Sequence, residues 1–165
     1  MSNDTLRVGV VGLGWAGETH VKAYLQQPGV EVVAVADPAE ARLGQVAATY
    51  NIPYQFVDYK DLVTRDDIDI VSVATPNFLH APVAIAAFEN GKHVLSEKPL
   101  ARSSAEAEAM VRAATAAGRV LEVAFNHRQR GDVQVLKNYI NGGGLGRVYY
   151  AKASWMRRSG IPGMG

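Results

Sequence analysis

The chain has 165 residues, 48% of them hydrophobic and 20% charged, which suits about one globular domain able to bury a core. Seventeen basic against sixteen acidic residues leave a formal net charge of +1, too balanced for the electrostatic footprint of a nucleic-acid binder. The absence of cysteine excludes disulfides, thiolate metal sites and cysteine nucleophiles together, and no apolar stretch approaches the roughly 20 residues of a membrane span, so the expected compartment is the cytoplasm.

From Leu6 to Val11 the chain is a short apolar run of the kind buried on both faces of a parallel sheet. It leads into Gly12, Gly14 and Gly17, after which Val21, Ala23 and Leu25 interleave with Glu18, His20 and Lys22 at helical spacing. A second buried strand ends at Asp37, followed by a predicted helix over 39–50, a short strand in "PYQF" and a helical turn over 59–64. The run "IDIVSVA" predicts a fourth strand. Pro82 fits only the first turn of a helix, which therefore begins near His80 and stops at Asn90 and Gly91 with a left-handed cap. "KHVLSE" is a fifth strand. Ser103 with Glu106 three positions on reads as a capping box opening a helix that ends at Gly118. "VLEVAF" gives a sixth strand, 132–140 a sixth helix, and "NGGGLG" a flexible connection to an alternating run over 147–156.

Strands alternating with helices predict an α/β fold, a Rossmann-type doubly wound parallel sheet. The last run differs. Its two unlike faces, one carrying Trp155, suit the first strand of a second, antiparallel α/β domain, and a lone strand cannot bury a face. The expected division is a nucleotide-binding domain over 1–125 and the start of a truncated substrate domain over 126–165.

Strand, glycine turn and helix in that order are the context that G-x-G-x-x-G requires for a dinucleotide, with Trp15 and Ala16 inside the loop. The first glycine makes the turn, the second admits the pyrophosphate, and the third lets helix pack on strand. A plain tight turn is the competing reading. Asp37, twenty residues after Gly17, stands where a carboxylate takes the adenine ribose hydroxyls, although it also suits a turn with Pro38. A carboxylate there repels the extra phosphate of NADP, and Arg42 lies too far along the next helix to compensate, so NAD is favoured over NADP.

Ligands of such sheets bind beyond the carboxyl ends of the strands. After the fourth strand stand Thr75, Pro76, Asn77 and His80, candidates for the cofactor or simply caps of the next helix. After the fifth stand Glu97, Lys98 and Pro99. A lysine ammonium can donate to a substrate hydroxyl or carbonyl oxygen, with Glu97 positioning it; a solvated charge pair is the bland alternative. Asn126 and Arg128 offer donors for a polyol or sugar, or belong to a polar loop. The Lys98–Pro99 bond is expected to be cis, because the loop must turn sharply to present Lys98. No metal constellation is evident.

The segments "VGVVGLGWAGETH", "ATPNFLHAPVAIAAFENGKHVLSEKPLA", "FNHR" and "GGLGRVYYAKASW" together resemble the N-terminal half of the glucose-fructose oxidoreductase, inositol dehydrogenase and rhizopine-catabolism family (Gfo/Idh/MocA). The Glu-Lys-Pro triplet after "GKHVL" is the most specific part. The resemblance implies an NAD(P)-dependent oxidoreductase of sugars, sugar derivatives or inositols, with Lys98 beside nicotinamide and substrate. It also implies a second domain carrying an aspartate and a histidine acid/base outside these residues, so the chain alone is expected to be inactive. A homo-oligomer built through that second domain is expected. A non-enzymatic NAD-binding sensor is the alternative; a methyltransferase fares worse, since the Glu-Lys-Pro loop has no role there.

Overall fold

The computed structural model describes residues 5–154 and 156. Two compact units divide the chain, one up to Ala124 and one from Phe125.

The first unit is a six-stranded sheet: β1 (Leu6–Val11), β2 (Val30–Ala36), β3 (Tyr54–Phe56), β4 (Ile70–Val73), β5 (His93–Ser96) and β6 (Leu121–Val123). The strand order is β3-β2-β1-β4-β5-β6 and every pairing is parallel. Helices α1 (Trp15–Tyr24), α2 (Glu40–Tyr50), α3 (Tyr59–Val63), α4 (His80–Glu89) and α5 (Ser104–Ala117) supply the crossovers. The buried runs form strands because both faces are covered. On one face Val8, Val10 and Val35 pack with Val21 of α1 and Leu43 and Val46 of α2. On the other, Val71, Val73 and Val94 pack with Leu62 of α3, Phe88 of α4 and Met110 of α5. The strand order reverses between β1 and β4, and the crevice at their carboxyl ends is where such sheets take ligands.

Local signals set the helix ends. The Ser103 hydroxyl accepts from the Glu106 N–H (3.2 Å), but the Glu106 carboxylate returns to the N–H of Arg102 (3.1 Å), so the capping box is displaced by one residue. Gly118 (φ +62°) and Gly91 (φ +71°) adopt the left-handed conformation that ends α5 and α4, whereas Asn90 (φ −97°) does not. Helix α1 begins at Trp15, earlier than the polar and apolar spacing indicated, so Gly17 falls within its first turn. The Lys98–Pro99 bond is cis.

In the second unit, α6 (Gly131–Asn141) follows a 3-10 turn over Asn126–Gln129. The expected strand over 147–156 is not formed by its described residues, and Trp155 lies outside them. The alternation is present in the sequence, but ladder hydrogen bonds come from a partner strand, and none is paired with this run among the described residues.

Phe88 is 1% exposed in the larger core, and Phe88→Ala is expected to cost about 3–5 kcal/mol in urea denaturation, against about 1 kcal/mol for loss of the cap in Ser103→Ala. Equal losses for the two variants would contradict this account of the core.

Candidate functional site

The three glycines where β1 passes into α1 meet different surroundings. At Gly12 the backbone has φ +86°, and a Cβ would stand 2.6 Å from the carbonyl oxygen of Ala74. At Gly17 a Cβ would collide with the carbonyl oxygen of Gly12, because α1 lies directly against the loop. At Gly14 a Cβ would meet nothing within 4 Å. The protein itself makes no demand for glycine there. Gly14 is also the N-cap of α1 and offers no side chain to it, so the first-turn N–H groups remain available to an anion.

Asp37 is fixed onto this loop. Its Oδ2 accepts the Leu13 N–H (2.7 Å) and its Oδ1 the Ala39 N–H (2.8 Å), leaving the carboxylate at the end of β2 with further lone pairs to offer. Beside it a cleft of about 580 Å³ runs across the ends of β1, β2 and β4, with Gly12, Asp37, Pro38, Tyr59, Thr75 and Pro76 in its wall. The Thr75 hydroxyl oxygen is buried and has no hydrogen-bond partner among the described residues. Pro76 and Asn77 are exposed, Trp15 is 85% exposed, and Ala16 is half-buried.

The end of β5 is braced from beneath. His20 on α1 pairs through Nδ1 with the Ser72 hydroxyl (2.7 Å) and through Nε2 with Glu97 Oε1 (3.2 Å). Glu97 Oε2 accepts the Lys98 N–H (3.0 Å). Glu97 thus meets the lysine's backbone and not its ammonium, and the Lys98 side chain projects, exposed, with no ion-pair partner among the described residues. On the same helix as His20, burial pushes the Tyr24 hydroxyl above its ordinary range, an effect that the Ser72 hydroxyl partly offsets. His80 is placed differently from the expectation of a cofactor contact. It is 1% exposed and pairs with the carbonyl oxygens of Pro99 (2.7 Å) and Thr75 (3.0 Å), tying together the loops that follow β4 and β5.

Asn126 and Arg128 lie in the second unit, where the Arg128 guanidinium stacks 4.8 Å from the centre of the Phe125 ring. Sequence reasoning missed His20 and Ser72. Two polar residues on inward-facing positions, one in α1 and one inside the apolar run of β4, are the signal that marks them.

Comparison with known proteins agrees with this fold. Residues 6–125 match a family described as an oxidoreductase family with an NAD-binding Rossmann fold. The chain belongs to the Gfo/Idh/MocA oxidoreductase family. The NAD-binding part of the family corresponds to residues 6–125, which include the glycine loop, Asp37 and the cleft. Levoglucosan dehydrogenase of Pseudarthrobacter phenanthrenivorans is 36% identical over 162 residues, 92% of this chain and 41% of that protein. An inositol 2-dehydrogenase of Salmonella typhimurium is 35% identical, over 96% of this chain and 48% of that one. A solved levoglucosan dehydrogenase in complex with NADH superimposes with a TM-score of 0.81 at 36% identity, covering 86% of this chain and 40% of that one. The chain thus spans about half the length, or less, of the relatives named here.

Two outcomes follow from the loop. Gly17→Ala is expected to destabilise the fold by about 3 kcal/mol or more, and Gly14→Ala by no more than about 1 kcal/mol, in chemical denaturation. Near the same loop, hydrogen bonds from Tyr50, Lys22 and Arg42, in that order, hold the Glu18 carboxyl down from 4.5 to about 2. A depressed folded-state value contributes stability that is complete above the unfolded value and lost as pH falls through the folded one. Glu18→Gln should therefore flatten the pH dependence of the melting temperature between about pH 4.5 and 2, with little change in its slope near pH 7.

Proposed function

We propose that this chain is the nucleotide-binding and lysine-bearing part of an NAD-dependent dehydrogenase acting on a secondary alcohol of a sugar, a sugar derivative or an inositol. The observation that carries the reading is the arrangement at one end of the sheet. The glycine loop, Asp37 and the Thr75 cleft stand beside a lysine loop that Glu97, His20 and Ser72 hold in place.

The residues fit the cofactor. The open space at Gly14 admits a pyrophosphate to the helix N-terminus, Asp37 can accept from ribose hydroxyls, and the unpartnered Thr75 hydroxyl can bond a group in the cleft. When bound, the nicotinamide supplies a two-electron hydride acceptor or donor. The Lys98 ammonium donates a hydrogen bond to the reacting oxygen of the substrate and orients it. Glu97 does not touch substrate; its carboxylate fixes the backbone from which Lys98 projects. The Asn126 amide and Arg128 guanidinium supply further donors to the hydroxyls of a polyol. The substrate classes are those in the names of the relatives, levoglucosan and inositol. A homo-oligomer and a cytoplasmic location complete the proposal.

The decisive experiment is turnover. The full-length gene product, supplied with NAD and a panel of inositols and anhydro sugars, should generate reduced cofactor absorbance with at least one of them; NAD binding without any turnover would favour a sensor. Lys98→Ala should lower the rate by roughly 10² to 10⁴ with NAD affinity little changed, and a rate within about twofold of the parent would remove Lys98 from the chemistry.

In the isolated chain, Gly14→Val should abolish NAD binding in calorimetry while thermal unfolding stays cooperative. Normal binding by that variant would reduce the glycine loop to a turn.

A further inference from the structure

Arg42 is not remote from the cofactor end of the sheet, as its place along α2 suggested. Its Nε donates to the Leu13 carbonyl oxygen (2.7 Å), and the N–H of the same Leu13 donates to Asp37 Oδ2 (2.7 Å). One residue of the glycine loop therefore separates the guanidinium from the carboxylate that would face an adenine ribose. An arginine so placed is the group by which related folds accommodate the 2′-phosphate of NADP, because its planar fork matches a phosphate bidentately.

Here that fork is already taken. Nη2 bonds Glu18 Oε2, and Nη1 reaches Gln45 Oε1 (3.3 Å). Glu18 is itself anchored: its Oε1 accepts from the Tyr50 hydroxyl (2.7 Å) and from Lys22 Nζ (3.0 Å). One carboxylate on α1 thus gathers the arginine and tyrosine of α2 and the lysine of its own helix.

We infer that Glu18 is a specificity-determining residue, which withholds the Arg42 guanidinium from a 2′-phosphate and so sets the preference for NAD over NADP jointly with Asp37. Asp37 repels the phosphate; Glu18 neutralises and orients the arginine that would otherwise attract it. The inference rests on the reading of the cleft as a dinucleotide site. The competing account makes the Glu18–Arg42 pair a brace between α1 and α2 with no bearing on cofactor choice.

Calorimetric affinities of the chain for NAD and NADP at low ionic strength separate the two. In an Asp37→Ser background, adding Glu18→Gln should raise the NADP-to-NAD affinity ratio by a further factor of about ten, the size of one charge-assisted hydrogen bond, and Arg42→Ala should erase that gain. With Glu18 intact, Arg42→Ala should shift the ratio by less than about twofold, which tests the same idea without the Glu18 variant. A brace alone predicts a lower melting temperature for Glu18→Gln with an unchanged ratio. That result, a gain that survives Arg42→Ala, or a large shift on Arg42→Ala alone overturns the inference while leaving NAD binding in place. A parent chain that binds neither nucleotide overturns the dinucleotide reading, and the inference with it.

Discussion

The seating of α1 on the loop that follows β1 is the constraint on which the candidate site depends. Position 17 has no room for a Cβ because the Gly12 carbonyl oxygen occupies it, so helix and loop meet backbone to backbone. That approach delivers two side chains of one helix. Glu18 reaches Arg42 on α2, and His20 reaches Ser72 and Glu97. A helix even one methyl group further out would loosen both together, so a substitution at Gly17 is expected to act on the lysine loop as well as on the glycine loop.

A second tie acts across the strand ends. The ring of His80, buried in the first turn of α4, joins the carbonyl oxygens of Thr75 and Pro99. The wall of the cleft and the segment that carries Lys98 are therefore held to a common point. Preorganisation of this kind matters for hydride transfer, where a misplacement of about 1 Å costs on the order of a hundredfold in rate.

Local features were legible in the sequence. The apolar runs that became β1, β2 and β4, the G-x-G-x-x-G spacing, Asp37 at the end of β2 and the caps at Ser103 and Gly118 each depend on neighbours within a few residues. The rest depends on contacts between distant parts of the chain. His20 meets Ser72 and Glu97, 52 and 77 positions away, and nothing in its own segment announces either partner. The contact of Arg42 with Leu13 is likewise not legible, because distance along a helix does not measure how far a long side chain reaches back toward the preceding loop. The place of His80 after a strand end, which makes it a cofactor candidate, is visible in sequence, and its burial is not. The run over 147–156 has a period-2 pattern, yet its described residues form no strand, since a ladder belongs to two segments and a sequence pattern to one.

The single pairing of β1 with β4 has a mechanical consequence. It is the only strand ladder joining β1, β2 and β3 to β4, β5 and β6, and it holds Val8–Val11 against Ile70–Val73. The cleft straddles this seam, with Gly12, Asp37 and Tyr59 contributed from before it and Thr75, Phe78 and Leu79 from after it. A molecule that fills the cleft therefore acts as a staple across the two halves, and its binding free energy opposes their separation. Amide protons along β1 and β4, which exchange with solvent only when the seam opens, report that opposition directly, and those of the outer strands β3 and β6 do not.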